Sequence, residues 1–132
     1  MNNRKCKLVI PVILAAIVGS QAALAKNTES LEHIKQGCEM LSEDLLRGQN
    51  YDNNCAFYIN SAGQYLKGAA TMMEQEQYKQ AILSMLRAEE RLRTTELQTE
   101  KCGDFSNIAG SYINEVMARK DDLIRFSNGI YH

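Results

Sequence analysis

The chain contains a single proline, Pro11, and no proline follows it. Proline removes a backbone hydrogen-bond donor and collides with the preceding helical turn, so a chain without it can sustain long helices. The sequence after residue 25 also contains no low-complexity tract and no internal repeat. We therefore predict that residues 26–132 form one small all-α domain, a bundle of about four helices.

The first 25 residues have the pattern of a secretory signal peptide. Basic residues at positions 4, 5 and 7 precede an apolar run from Leu8 to Val18, and Ala23-Leu24-Ala25 closes the segment. A basic start, a short apolar centre and an Ala-x-Ala end are typical of a cleavable leader. The apolar run is too short to cross a bilayer core of about 30 Å. We predict a signal peptide at 1–25 and a periplasmic domain at 26–132 with no membrane attachment after cleavage.

The charge balance disfavours two classes of partner. The chain has 15 basic and 16 acidic residues. Loss of Arg4, Lys5 and Lys7 with the leader leaves 12 basic residues against 16 acidic ones, a net charge of about −4. Nucleic acids and anionic membranes are bound through a basic face. We therefore expect neither of them as a partner.

Apolar residues that recur every three or four positions predict the helices. The expected helical segments are Thr28 to Arg47, Asn54 or Cys55 to about Met73, Glu76 to Thr95 or beyond, and a fourth around Phe105 to Val116. Ser106 is the expected N-cap of the fourth helix, and a separate short turn is expected at 123–126. Gly63 and Gly68 interrupt the second segment, where each costs roughly 1 kcal/mol relative to alanine. We expect the backbone of another helix to approach closely at one of them.

Three cysteines, Cys38, Cys55 and Cys102, remain after loss of the leader. Thiols pair in an oxidising compartment, so one bridge and one leftover thiol are expected. In an antiparallel hairpin of the second and third helices, Cys55 begins one arm and Cys102 ends the other. A non-helical stretch at 96–101 would absorb the unequal arm lengths. We predict a Cys55–Cys102 disulfide with Cys38 buried and free, and the competing pairing is Cys38–Cys55.

No residue pattern indicates catalysis or a cofactor. His33 lies one turn after Glu29, but nothing nearby supplies a third metal ligand, so a surface ion pair is expected there. A metal site that uses His33 and Cys38 is an alternative. Glu89 and Glu90 are adjacent and should lie on a solvated helix face rather than form a paired-carboxylate site. We expect a protein that is not an enzyme and that needs no metal or cofactor.

The segments around the three cysteines resemble a known family. Cys38 ends the sequence LEHIKQGC, Cys55 opens CAFYINSAG, and Cys102 opens CGDFSNIAGSYINEV. Their order is similar to that in periplasmic immunity proteins for type VI secretion amidase effectors. Those proteins are small, exported and helical, and they bind and block a peptidoglycan-cleaving amidase. They often have a fourth cysteine near the end, and its absence here would leave Cys38 without a partner.

The resemblance implies an inhibitor that occludes a secreted protein toxin. No residue-level binding motif comes with it, so the contact residues are predicted from two loops, one at 50–54 and one at 94–101. The candidate contact residues are Asn50, Tyr51, Asp52, Asn53, Thr95 and Glu96. A homodimer is compatible with the same features. The alternative function is a small periplasmic stress chaperone, or an accessory protein of envelope assembly, that exposes apolar surface at low pH.

Overall fold

The computed structural model describes residues 30–47 and 53–129. Within those ranges the protein is all-α, as predicted, with five helices. Helix α1 covers residues 30–47, and the others are α2 (Asn53–Glu74), α3 (Tyr78–Leu97), the single-turn α4 (Thr99–Cys102) and α5 (Asp104–Ser127). The predicted signal peptide and the predicted start of the first helix lie outside the described residues.

The four long helices pack as an up-and-down bundle. Lys35 meets Glu74 and Ser42 meets Gly63, so α1 and α2 run in opposite directions. Contacts between the other neighbouring helices are Tyr65–Ser84 for α2 and α3, Glu89–Lys120 for α3 and α5, and Gly37–Arg119 for α1 and α5. The helices therefore enclose one core in the order α1, α2, α3, α5.

One apolar stripe from each long helix fills this core. The largest fully buried side chains include Leu45 of α1, Leu66 of α2, Leu92 of α3 and Leu123 of α5. Alanines at positions 62, 69, 81, 88 and 109 are also fully buried, and their small side chains let the helix axes approach. Burial of each large aliphatic side chain contributes roughly 1.5–3 kcal/mol to folding. The apolar periodicity of the sequence thus places most of the core correctly, although two residues of the apolar repeats, Phe57 and Ile108, are exposed.

Gly63 lies where α1 packs tightly on α2. A Cβ added there would lie 2.9 Å from Leu46 Cγ and 3.4 Å from Leu45 Cβ. The Ser42 hydroxyl donates to the Gly63 carbonyl at 2.8 Å, so a buried hydrogen bond spans the same contact. At Gly68 an added Cβ would meet only the Ser84 hydroxyl, at an ordinary 3.8 Å. Helix α1 therefore packs closely at Gly63, but through the side chains of Leu45 and Leu46 rather than through its backbone, so the prediction is only partly confirmed there and is wrong at Gly68.

A disulfide joins Cys55 in the first turn of α2 to Cys102 at the end of α4, with their α-carbons 5.1 Å apart. Cys38 is buried and free. The predicted pairing is confirmed, and the Cys38–Cys55 alternative is wrong. The expectation of a non-helical stretch at 96–101 is partly wrong, because α3 continues to Leu97 and α4 begins at Thr99.

The boundaries of the last helix differ from the prediction. Gly103 adopts a positive φ of 50° and separates α4 from α5, so α5 begins at Asp104. Ser106 is therefore not the N-cap; it lies inside the first turn, and its hydroxyl donates to the Gly103 carbonyl at 2.7 Å. Helix α5 runs unbroken to Ser127, which overturns the separate turn at 123–126. Burial of Leu123 against the core keeps this last part helical.

Candidate binding surface

Several helix ends meet at one end of the bundle, which we call the disulfide end. It comprises the start of α2, the end of α3, the whole of α4 and the start of α5. Of the first predicted contact loop, Asn50, Tyr51 and Asp52 lie outside the described residues, and Asn53 is the first residue of α2. The second predicted loop, 94–101, belongs to the disulfide end, although most of it is helical.

The two predicted contact residues in α3 differ in accessibility. Thr95 is fully buried, and its hydroxyl donates to the Leu92 carbonyl at 2.6 Å. Glu96 is exposed, and its Oε2 lies 3.0 Å from the position that a Cβ on Gly110 would take. Consecutive helical residues point about 100° apart, and the rotation of α3 about its axis turns Thr95 toward the core and Glu96 toward solvent. Thr95 is therefore not part of the candidate surface, whereas Glu96 is accessible to a partner.

Large apolar side chains are exposed at the disulfide end. Phe57 near the start of α2 is 61% exposed, Leu97 at the end of α3 is 82% exposed, and Ile108 near the start of α5 is 44% exposed. Leu97 and the residues of α4 up to Lys101 line an open cavity of about 350 Å³. Apolar patches mark interaction surfaces, and three of the five large exposed apolar side chains of the described residues lie at this end. The disulfide end is therefore the candidate binding surface.

An aromatic pair and an arginine lie beside this end, at the junction of α2 and α3. The Phe57 and Tyr58 rings meet edge to face, with centroids 5.4 Å apart. The guanidinium carbon of Arg91 lies 5.8 Å from the Phe57 centroid and 6.0 Å from the Tyr58 centroid, within cation–π range. Sequence reasoning missed this cluster. The available signal was the adjacent Phe-Tyr pair, because two large rings that point about 100° apart leave at least part of one ring near the edge of the buried face.

Glu89 departs from its predicted role on a solvated helix face. Its side chain is 13% exposed and pairs with Lys120 of α5, whose side chain is 14% exposed, at 3.1 Å. Arg93 approaches the other Glu89 oxygen at 3.4 Å and also donates to Met117 Sδ. Glu90 is exposed, as predicted. Glu89 therefore has a structural role, since it ties α3 to α5.

The structure also locates the residues considered for metal binding. Burial raises the pKa of the Cys38 thiol to about 12; the positive charge of Arg119 opposes this effect, and Glu39 reinforces it. The protonated thiol is a poor nucleophile and a poor metal ligand. His33 is exposed and lines a cavity of about 90 Å³ with Asp122, while Glu29 lies outside the described residues. In the described ranges no three His, Cys, Asp or Glu side chains are grouped to hold a metal ion.

Comparisons of the chain with known protein families, with curated proteins and with solved structures found no match. None of the helices in the described ranges combines the length and the apolar character needed to cross a membrane.

Proposed function

We propose that this chain is a periplasmic immunity protein that binds a peptidoglycan amidase of the type VI secretion class and occludes it. The observation that carries the proposal is the exposure of Phe57, Leu97 and Ile108 on helix ends that one disulfide holds together. The order of the cysteine-centred segments, which resembles that of amidase immunity proteins, points to the same function. The signal-peptide pattern of residues 1–25 supports export to the periplasm.

An inhibitor that acts by occlusion needs a rigid surface and no reacting group. The disulfide ties α2 to α4, which lies between α3 and α5 in the chain, so the exposed side chains keep fixed relative positions. A surface that is ordered before binding loses less conformational entropy when the partner arrives. Each Å² of apolar surface that leaves water contributes about 25 cal/mol. The proposed contact surface also includes Glu96 of α3, Asn53 at the start of α2, and Asn50, Tyr51 and Asp52 of the predicted contact loop.

A protection assay in cells tests the proposal. Type VI amidase effectors are directed one at a time to the periplasm of cells that make this chain, either whole or without residues 1–25. We expect the whole chain to prevent lysis by one effector and the leaderless chain to fail, because peptidoglycan is cleaved outside the inner membrane. Lysis by every effector, despite abundant exported chain, would contradict the proposal.

A pair of exposed apolar residues supplies a matched control for this assay. Leu97→Asp places a charge in the proposed contact surface and should abolish protection. Met40→Asp changes a residue on α1 that is similarly exposed, at 66%, and should leave protection intact. Equal loss of protection in both variants would place the contact elsewhere.

The alternative, a periplasmic stress chaperone, would use the same exposed apolar side chains and is distinguished by its stoichiometry. A chaperone should suppress the aggregation of many unrelated clients at low pH, as followed by light scattering. An immunity protein should bind one partner in a fixed ratio and leave unrelated clients unprotected.

A further inference from the structure

We propose that an arginine–aromatic patch, formed by Phe57 and Tyr58 of α2 with Arg87 and Arg91 of α3, binds an acidic segment of the partner protein. In that segment a carboxylate side chain lies next to an apolar one. The inference rests on the proposed function only in taking the partner to be a protein. It adds the chemistry of the contact, which the exposed apolar side chains alone do not define.

The positive charge of this patch is not neutralised within the described part of the chain. Arg87 and Arg91 are one turn apart on the same face of α3, and the ion pairs of the described residues include neither of them. Glu90 lies beside them and is exposed, but it pairs with neither. Like charges at this spacing repel each other weakly. A partner carboxylate would relieve that repulsion.

The aromatic rings fix the position of one guanidinium. Arg91 is held near both the Phe57 and the Tyr58 ring, so it loses less side-chain freedom when a ligand arrives. No described acceptor takes a hydrogen bond from Arg91, so its N–H groups remain available. A planar guanidinium can grip a carboxylate through two parallel hydrogen bonds. The patch therefore has the geometry of a carboxylate clamp.

The apolar part of the patch favours a protein segment over a nucleic acid or an anionic membrane. Phe57 is 61% exposed beside the charge, and its burial under an apolar group of the partner would be favourable. Residues 53–66 of α2 contain no charged side chain, so the positive charge is confined to α3. Nucleic acids and anionic membranes need a broad basic face, and the chain has a net charge of −1. A short acidic segment with an apolar neighbour fits the patch better than either.

The test uses a random copolymer of glutamate and tyrosine as the probe. Its binding to the purified, isotope-labelled chain is followed by NMR, with oligothymidylate and phosphatidylglycerol vesicles as competing ligand classes. We expect the copolymer to shift the side-chain N–H signal of Arg91 and the signals of residues near Phe57. Arg91→Glu should weaken binding by about tenfold or more, a size typical for loss of a charge-assisted contact.

Two further variants make the test specific. Arg87 is exposed, so Arg87→Glu leaves the core untouched and should weaken binding by at least about threefold. Arg125 of α5 is also an exposed arginine outside the ion pairs of the described residues, and Arg125→Glu should change affinity by less than about twofold. Thermal unfolding checks that each variant is folded. Equal weakening by Arg125→Glu and the patch variants, or tighter binding of the oligonucleotide or the vesicles, overturns the proposal.

The outcome can be separated from that of the protection assay. Copolymer binding that maps to the patch, without protection against any amidase, would support the acidic-segment site and reject the inhibitor function. Protection that persists in Arg91→Glu, together with absence of copolymer binding, would reject the site and leave the inhibitor function in place.

Discussion

Replacing Gly63 by alanine tests how tightly α1 packs on α2. The new Cβ would lie 2.9 Å from Leu46 Cγ and 3.0 Å from Leu46 Cδ2. Both distances are shorter than normal van der Waals contact, so Leu46 or the helix axis has to move. The buried hydrogen bond from Ser42 to the Gly63 carbonyl resists movement of the axis.

The net effect is the difference between two opposing contributions. Alanine is favoured over glycine in a helix interior by roughly 1 kcal/mol. Overpacking of a well-packed contact costs about 1–3 kcal/mol, and Leu46 is only half-buried, so the lower part of that range applies. We expect Gly63→Ala to lower the free energy of unfolding by up to about 1 kcal/mol. Gly68→Ala gains the same propensity without a clash and should raise the free energy of unfolding by about 0.5–1 kcal/mol.

Urea unfolding at neutral pH measures both variants, with the slope against urea as a check that the denatured state is unchanged. From these ranges, the free energies of unfolding of the two variants should differ by about 0.5–2 kcal/mol. A similar gain in stability at both positions would show that α1 lies farther from α2 than the structure places it.

Three further predictions concern the disulfide, the α3–α5 ion pair and the buried thiol. Reduction of Cys55–Cys102, which closes a loop with a sequence separation of 47, should lower the free energy of unfolding by about 4 kcal/mol in urea. A loss below about 1 kcal/mol contradicts that estimate. Glu89→Gln leaves the nearly buried ammonium of Lys120 without its counter-charge and should lower the free energy of unfolding by about 2 kcal/mol in urea. The control Glu90→Gln changes an exposed residue and should lower it by less than about 0.5 kcal/mol. The pKa of Cys38 is raised from 9.0 to about 12, so the folded state keeps a proton that the unfolded state loses. Stability should therefore fall by at most about 1.4 kcal/mol per pH unit above pH 9, and Cys38→Ala should remove that part of the decline in urea midpoints. An unchanged alkaline decline in that variant would place its cause elsewhere.

The helices, the core and the disulfide pairing were predictable because they follow from the order and spacing of residues. Apolar residues at helical spacing define one buried face per segment, and a hairpin brings Cys55 and Cys102 to the same end. The exact helix ends were harder to predict from the sequence. The break between α4 and α5 depends on the positive φ of Gly103, and the one-turn helix α4 carries Cys102 to its partner.

The binding surface was harder to predict because it depends on helix rotation. Thr95 and Glu96 are neighbours in sequence, yet the rotation of α3 buries the first and exposes the second. The partner of Glu89 is 31 residues away on α5, so no local pattern revealed the ion pair. The contact of Arg91 with Phe57 likewise requires the register between α2 and α3. Long-range packing, rather than local propensity, decides each of these features.

The central claim, inhibition by occlusion, is tested most directly by a titration of enzyme activity. The immobilised chain is used to capture a partner from the secreted proteins of bacteria of the same strain. The eluted protein is then assayed for peptidoglycan hydrolysis in the presence of increasing amounts of the purified chain. We predict that hydrolysis falls linearly to zero at one equivalent of the chain and that Leu97→Asp abolishes the effect. A captured protein without hydrolytic activity, or hydrolysis that persists in large molar excess of the chain, would contradict the account.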